Sequence, residues 1–526
     1  MTARTNPWLV LVLVCLAQFM VVLDATIVNV ALPSIQQDLA IAEADLQWIV
    51  NAYTLLFGGF LLLGGRAGDL LGRKRLFLAG VVLFTGASLA CGLAQSSEVL
   101  IVARGLQGLG AAFIAPAALS ILTTTFAEGA ERAKAMAVWA GIATGGAAVG
   151  LLLGGVLTEF LSWPWIFFVN VPVGIGAFVA SLRLVPESRA ETADRIFDVP
   201  GALTVTAGLI ALVYGIVKVQ ESGWTSASTI GFGVAAVVLL TAFVLIELRQ
   251  RAPLVRLGVF RIRTLRAANV SMLLVASGLF AMFFFNTLYV QRVLGFSPLE
   301  AGLAFLPVTV GIGIGAGASQ QLVKHIGIRA TAIGGMTIAT VGMLILLTTS
   351  ADGSYLADVL PGLIPISIGM GLTFVPVTLL ATSGIEGEDA GLASGLFNTS
   401  QQVGGALGLA ILSTIAVDRT QGHLGGLPGQ PTPVDQAEAL VTGFHGAFFG
   451  GAVFFVLGIA VMVALLKRED EERVDVEQPV VDRRVASATG ARRARSRARS
   501  PACGRAARPC PPTGRACSGR AAPTRA

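Results

Sequence analysis

The stretch WLVLVLVCLAQFMVVLDATIVNVAL, from Trp8 to Leu32, decides what kind of protein this chain is. It is apolar almost throughout, and at about 1.5 Å of rise per residue a helix of this length crosses the roughly 30 Å hydrocarbon core of a bilayer. The stretch is too long for the apolar core of a signal peptide, and no small-residue cleavage pattern follows it. We therefore expect it to be the first transmembrane span.

The remainder of the chain repeats this pattern. Of its 526 residues, 54% are hydrophobic and 13% are charged, and the mean hydropathy of +0.76 excludes an ordinary soluble globular protein. Lipid offers no partner to backbone amides, and the segments lack the alternation of a membrane barrel, so the spans must be helices. The sequence predicts an all-α polytopic membrane protein with fourteen spans, which begin near positions 8, 46, 76, 98, 135, 165, 200, 228, 267, 299, 330, 356, 391 and 442.

Basic residues in the loops predict how the chain is oriented. An even number of spans places both termini on one side, and the loops of that side carry most of the basic residues outside the tail, among them Arg73, Lys74, Arg132 and Arg256. An acidic loop at 386–389 breaks the trend. Because basic loops stay in the cytoplasm, we expect a multi-pass cell-membrane protein with both termini cytoplasmic.

Two similar turns indicate an internal repeat. DLLGR at Asp69–Arg73 follows the second span, and KHIGIR at Lys324–Arg329 follows the tenth. Duplicated halves are common in transporters. The last part of the chain is rich in Arg, Ala, Pro and Gly, a composition that does not fold. We predict an N-terminal six-helix half at 1–185, an inserted helix pair with its linkers at 186–266, a C-terminal six-helix half at 267–466 and a disordered basic tail at 467–526.

Two charged residues lie inside predicted spans, Asp24 in the first and Arg104 in the fourth. An ionised side chain at that depth costs about 3 kcal/mol on insertion scales, and such residues pair with one another or serve a transport path. We expect Asp24 and Arg104 to form a proton-coupling or substrate site. The alternatives are a packing carboxylate held by Thr26 or Asn29, and an arginine that snorkels to the membrane surface.

Other polar residues in the spans predict a cavity, because a lipid-facing surface does not tolerate them. The candidate lining residues are Gln107, Asn286, Asn398, Gln401 and Gln402. We expect the cavity to lie between spans one, four, nine and twelve, two from each half, with the side chains of Asp24 and Arg104 pointing into it.

Glycines in the fifth span leave one helical face of nearly bare backbone, against which another helix packs closely. They are Gly141, Gly145, Gly150, Gly154 and Gly155. The tenth span has a similar face at Gly311, Gly315 and Ser319. We expect these two faces to form the packing between the halves; ordinary small-residue packing is the alternative.

The sequence has no motif for binding a nucleotide, a metal ion or a cofactor. It has no phosphate-binding G-x-x-x-x-G-K-[S/T] string, and its three histidines are scattered, so we expect no metal, no cofactor and no direct ATP drive. The expected partners are a small amphipathic substrate, protons and the lipid bilayer, without nucleic acid, and a monomer should suffice. An integral-membrane enzyme, the alternative class, would cluster His, Asp or Cys near one membrane face.

Five strings together resemble the major facilitator superfamily, and within it the fourteen-span drug:proton antiporters of the EmrB/QacA type, over residues 8–466. They are LDATIVNVALP at Leu23–Pro33, GRAGDLLGRKR at Gly65–Arg75, ARGLQGLGAA at Ala103–Ala112, WIFFVNVPVG at Trp165–Gly174 and LASGLFNTSQQVGGALG at Leu392–Gly408. The resemblance implies the major facilitator fold, with two six-helix halves plus an inserted helix pair. It also implies multidrug efflux and antibiotic resistance through exchange of a drug for protons.

The same resemblance implies roles for individual residues. Asp24 would serve coupling or bind cationic substrates, and a conformational gating turn would consist of Gly65, Asp69, Gly72, Arg73 and Lys74. One position departs from the family pattern, because GLLLGG at Gly150–Gly155 has Leu151 where the antiporter motif has proline. Proline kinks a helix. The departure keeps open a proton-coupled exporter or symporter of a specific metabolite.

Overall fold

The computed structural model describes residues 6–126, 129–189, 198–250, 253–382, 388–427 and 430–467. Within these ranges, 14 helices are long and apolar enough to cross a membrane, which confirms the predicted number of spans. The predicted tail beyond Lys467 and residues 383–387 of the acidic loop lie outside the described residues.

The first six spans pack as one bundle. In it, α1 contacts α4, α5 and α6, while α4 also contacts α2 and α3. These contacts follow from the apolar faces of the helices and from glycines that let the backbones approach. The six spans are α1 (Pro7–Asp38), α2 (Trp48–Leu71), α3 (Arg73–Gly92), α4 (Ser97–Thr125), α5 (Ala130–Phe160) and α6 (Trp165–Leu184).

The remaining eight spans form an inserted pair and a second bundle. They are α7 (Val199–Val219), α8 (Ala227–Arg249), α9 (Arg263–Val293), α10 (Pro298–Ile326), α11 (Ile328–Thr348), α12 (Tyr355–Thr382), α13 (Gly391–Gly425) and α14 (Pro433–Leu465). In the second bundle α9 contacts α12, α13 and α14, and α12 contacts α10 and α11. The inserted helices α7 and α8 pack on each other, and α7 also contacts α2 and α13.

The start of α14 differs most from its predicted position. The helix begins at Pro433 instead of near position 442, because Thr432 and Asp435 form a capping box that starts it in a polar stretch. Hydropathy locates only the apolar part of a span. The start of α5, at Ala130 instead of near position 135, differs for the same reason.

The two bundles meet along α2 and α13 and at the end of the membrane domain that lacks the basic loops, here called the closed end. There α5 contacts the first turns of α10: Gly155 lies against the backbone of Pro298 and Leu299. Gln291 Nε2 donates to the Val30 carbonyl at 2.9 Å. An ion pair between Arg292 and Glu43, at 3.2 Å, lies at the same end.

Only one of the five predicted inter-half glycines, Gly155, packs against the other bundle. Gly150 and Gly154 pack on α1 of their own bundle, whereas no described atom of another helix lies within 4 Å of the Cβ positions of Gly141 and Gly145. The prediction was wrong for Gly150 and Gly154 because α1 covers that part of α5, and for Gly141 and Gly145 because no described helix of the other bundle reaches them. On α10, the predicted partners Gly311, Gly315 and Ser319 pack instead on α12.

The opposite end, which carries Arg73 and Arg256 and is here called the basic end, contains the two similar turns. Gly72 has φ of 115°, and Gly327 has φ of 85°. Side chains with a Cβ rarely adopt this conformation, so both turns require glycine. The predicted similarity of the two turns therefore extends to their backbone conformation.

We predict that Gly369→Ala destabilises the protein, because the new Cβ would meet the Gly335 carbonyl and Ala339 on α11. Overpacking of this kind costs about 1–3 kcal/mol. Gly334→Ala is the matched control, since no other helix in the described part of the chain comes within 4 Å of its Cβ position. Thermal unfolding of the detergent-solubilised protein should show a lower midpoint for Gly369→Ala alone, and equal midpoints would contradict the packing.

Candidate functional site

A buried ion pair lies inside the first bundle. Asp24 on α1 is 0% exposed and Arg104 on α4 is 1% exposed. Arg104 Nη1 donates to Asp24 Oδ2 at 2.6 Å. The contact expected from the two intramembrane charges is therefore present.

Two amides complete the surroundings of Asp24. Gln107 Nε2 and Asn170 Nδ2 donate to Asp24 Oδ1 at 2.6 and 2.9 Å. Thr26 and Asn29, the alternative partners, bond to backbone carbonyls of their own helix. That alternative was wrong, because residues two and five positions further along a helix do not face the first.

Arg104 is held by the protein on several sides. Its Nε donates to the Ile49 carbonyl at 3.0 Å, and its Nη1 also donates to Gln107 Oε1 at 2.7 Å. The guanidinium carbon lies 4.4 Å from the ring centre of Tyr53 and 5.7 Å from that of Phe167. These cation–π contacts and hydrogen bonds keep the charge in the interior, so the snorkelling alternative was also wrong.

Sequence reasoning missed three residues of this site. Asn170 binds the carboxylate, Ser88 accepts from Gln107 Nε2 at 2.6 Å, and Tyr53 covers the guanidinium. Asn170 had a usable signal, a polar side chain in an apolar span. Ser88 had none, because serine also serves ordinary packing in membrane helices.

A cavity of about 1430 Å³ extends from the middle of the membrane domain to the basic end. It exceeds the roughly 300–1,000 Å³ of ordinary small-molecule pockets. The expected spans α1, α4, α9 and α12 line it, and so do α2, α5, α10 and α13, so the four-span expectation was incomplete. Among the described residues, no loop at the closed end contributes to the lining.

Three of the five predicted lining residues are on the cavity wall: Asn398, Gln401 and Gln402. The prediction was wrong for Gln107 and Asn286, which are both 0% exposed. Gln107 faces the ion pair, and the Asn286 amide donates to the carbonyl one turn earlier in α9. Polarity in a span indicates that a side chain avoids lipid, and a buried polar contact satisfies that condition as well as a cavity does.

Asp24 is not on the cavity wall in the described part of the chain, whereas Arg104 and Tyr53 are. The expectation that the Asp24 side chain points into the cavity was wrong. Arg104 is the member of the pair that a molecule in the cavity can reach. Any influence of such a molecule on Asp24 must pass through Arg104 or the neighbouring helices.

The predicted gating turn lies at the basic end of the first bundle. Asp69 and Arg73 form an ion pair at 3.0 Å, and both line the cavity with Gly65. Lys74 Nζ donates to the Leu182 carbonyl at 2.8 Å. After Gly72, the chain also contacts Glu187, which sequence reasoning did not identify: Glu187 Oε1 accepts from the Lys74 amide.

Leu151 lies in a continuous helix, since α5 runs from Ala130 to Phe160 without a break. Its side chain is 3% exposed, and its carbonyl lies against Gly302 of α10. The residue that departs from the antiporter motif thus takes part in the contact between the bundles.

A family model described as Major Facilitator Superfamily matches residues 14–409, which include the ion pair, the gating turn and most of the cavity wall. The chain belongs to the major facilitator superfamily. Membership explains the arrangement of the spans, and the predicted fold class, two six-helix halves with an inserted pair, is confirmed. Members of the superfamily are transporters.

Curated relatives of this major facilitator protein match along most of their length. The puromycin resistance protein pur8 of Streptomyces alboniger is 40% identical over 463 residues, which cover 87% of this chain and 90% of the relative. The cephamycin export protein CmcT of Amycolatopsis lactamdurans is 41% identical over 459 residues, which cover 87% and 92%.

A solved structure supports the fold of this major facilitator protein. It is a bacterial homologue of the human lysosomal transporter Spinster, in an inward-facing and unoccupied conformation. The two chains superpose with a TM-score of 0.61 at 16% identity, over 90% of this chain and 99% of that one.

We predict that Asp24→Asn and Arg104→Gln each destabilise the protein by about 3–5 kcal/mol, because either change leaves a buried charge without its partner. The double variant should lose less than the sum of the two. Thermal unfolding of the four proteins gives this comparison, with folded yield from gel filtration as a second readout. Additive losses would show that the two side chains do not stabilise each other.

Proposed function

We propose that this major facilitator protein exports amphipathic drugs, antibiotics or related small molecules in exchange for protons. The observation that carries the proposal is the buried Asp24–Arg104 pair, whose arginine lines a cavity that reaches the basic end and, among the described residues, no loop at the closed end. Two relatives, aligned over about nine-tenths of their length, are named for puromycin resistance and cephamycin export, which supports the same class of cargo.

The proposal places the basic end in the cytoplasm, because basic loops stay on that side during membrane insertion. The protein is then a multi-pass cell-membrane protein with both termini cytoplasmic. In this orientation the cavity is open to the cytoplasm, as cargo loading for export requires. To release cargo, the bundles must part at the closed end and meet at the basic end.

Coupling in this proposal depends on Asp24. A proton bound at Asp24 Oδ2 removes the negative charge that faces Arg104 Nη1, 2.6 Å away. Arg104, which lines the cavity, then loses its charged partner and is held only by Ile49, Gln107 and two aromatic rings. Exchange requires that cargo beside Arg104 and a proton on Asp24 weaken each other's binding, and linkage makes that weakening reciprocal.

No cofactor or second energy source enters the proposal. The proton gradient drives the cycle, a single chain carries it out, and the only partners are cargo, protons and the bilayer. Leu151 in a continuous α5 favours one second candidate, a proton-coupled exporter or symporter of a specific metabolite. Narrow selectivity across a panel of unrelated amphipathic molecules would favour that candidate.

We predict that Asp24→Asn abolishes dye or drug uptake into inverted vesicles under an imposed pH gradient, because the amide cannot carry the proton. Exchange of labelled for unlabelled substrate without a gradient should persist in this variant if it is folded. Glu438→Gln, a change of an exposed acid, is the control. Unaltered gradient-driven uptake by Asp24→Asn would remove Asp24 from the coupling step.

We predict that a reducible cross-link across the closed end stops transport. Ser297 Oγ donates to Glu159 Oε2 at 2.6 Å, so a short disulfide-forming bifunctional thiol reagent should bridge Glu159→Cys and Ser297→Cys in a protein whose native cysteines are replaced. Transport should fall as cross-linking rises and return after reduction, whereas the single-cysteine variants should be unaffected. Full activity in the cross-linked protein would mean that this end need not open.

A further inference from the structure

The charged residues on the cavity wall are unequal in sign. Among the described lining residues, five are arginines and one is an aspartate: Arg66, Asp69, Arg73, Arg104, Arg132 and Arg256. Arg104 is paired with Asp24, and Arg73 with Asp69. Arg132 and Arg256 also have interaction partners.

Arg66 differs from these residues. It lies on α2, three residues before Asp69, and its Nε is buried without a hydrogen-bond partner among the described residues. A guanidinium stays charged and presents five donors in a planar fork. A charged, partly buried donor group beside a cavity favours a ligand that brings acceptors and negative charge.

A carboxylate on the wall would favour a cationic ligand. The single carboxylate in the described part of the cavity wall, Asp69, is already paired with an arginine. Asp69 accepts from both Nε and Nη2 of Arg73, at 3.2 and 3.0 Å. Asp24 lies behind Arg104 and Tyr53 and is fully buried. Both bonds from Arg73 end on Oδ1, so a cationic ligand would have to share Asp69 with Arg73, or displace Arg104 to reach Asp24.

The rest of the wall suits an apolar or aromatic group. Trp139 of α5, Phe280 of α9 and Phe374 of α12 all line the cavity, so aromatic surface comes from both bundles. Planar ligands gain both apolar burial and ring contacts there. The expected ligand is thus apolar over most of its surface and carries its charged group toward α2.

We infer that the cavity selects amphipathic organic anions, with a carboxylate, sulfonate or phosphate group bound by Arg66. This reverses the expectation of a cationic cargo bound at Asp24. The identification of such anions as cargo rests on the proposed function, whereas their preferential binding does not.

Binding of three pyrene derivatives to the full-length protein tests this inference. Pyrenecarboxylate, pyrenecarboxamide and pyrenemethylammonium share one apolar ring system and differ in charge. The protein is held in nanodiscs of zwitterionic lipid, so that anionic lipid does not compete. The wild type should bind the carboxylate about tenfold more tightly than the ammonium compound, which corresponds to about 1.4 kcal/mol, a modest charged hydrogen bond.

Variants assign the preference to one side chain. Arg66→Gln should remove the difference between carboxylate and ammonium, while Arg66→Lys should keep most of it, because lysine retains the charge. Arg75→Gln is the matched control, since Arg75 is an exposed arginine at the start of the next helix, α3, and does not line the cavity. The carboxamide reports whether the apolar part of the site is intact in each variant.

Equal affinities for the three compounds in the wild type, or tighter binding of the ammonium compound, would overturn the inference. So would a carboxylate preference that survives Arg66→Gln. Vesicle flux is measured separately: carboxylate-selective binding without gradient-driven flux would contradict the proposed function alone. Drug flux without a carboxylate preference would contradict the anion selectivity alone.

Discussion

The pairing of Arg104 with Asp24 is the constraint on which the first bundle depends. An arginine cannot lose its charge, so α4 can cross the membrane only if another helix supplies a carboxylate at the same depth. That requirement brings α1 beside α4, and the remaining donors and acceptors recruit Ser88 of α3 and Asn170 of α6. One charge thus determines the mutual positions of four of the six helices.

Around this pair, the two bundles differ in how they use polar groups. The first bundle brings both amides and arginines to the cavity wall and keeps only Asp24, with the amides that hold it, behind Arg104 and Tyr53. The second bundle places amides directly on the wall, at Asn398, Gln401 and Gln402. The first arrangement suits a proton site shielded from cargo, and the second suits adaptable contacts with varied molecules.

The sequence was sufficient for the number of spans, the ion pair and the two glycine turns, because each follows from a strong local rule: length in lipid, charge in lipid or positive φ. It was insufficient where a side chain could satisfy the same rule in two different places in the fold. Gln107 had to avoid lipid, and a buried contact with Asp24 did so as well as the cavity would have. The glycines of α5 required a close neighbour, but only the packed structure shows that α1 takes this place and leaves only Gly155 for α10.

The inserted helix α7 gives the molecule two unequal flanks. Because α7 contacts both α2 and α13, it covers the seam between the bundles on that side. On the other side α5 and α10 touch near the closed end, and no other helix among the described residues comes within 4 Å of the Cβ positions of Gly141 and Gly145 in α5. A molecule already dissolved in the bilayer would therefore find one shielded flank and one accessible flank, so that lateral entry into the cavity would be directional within the plane of the membrane.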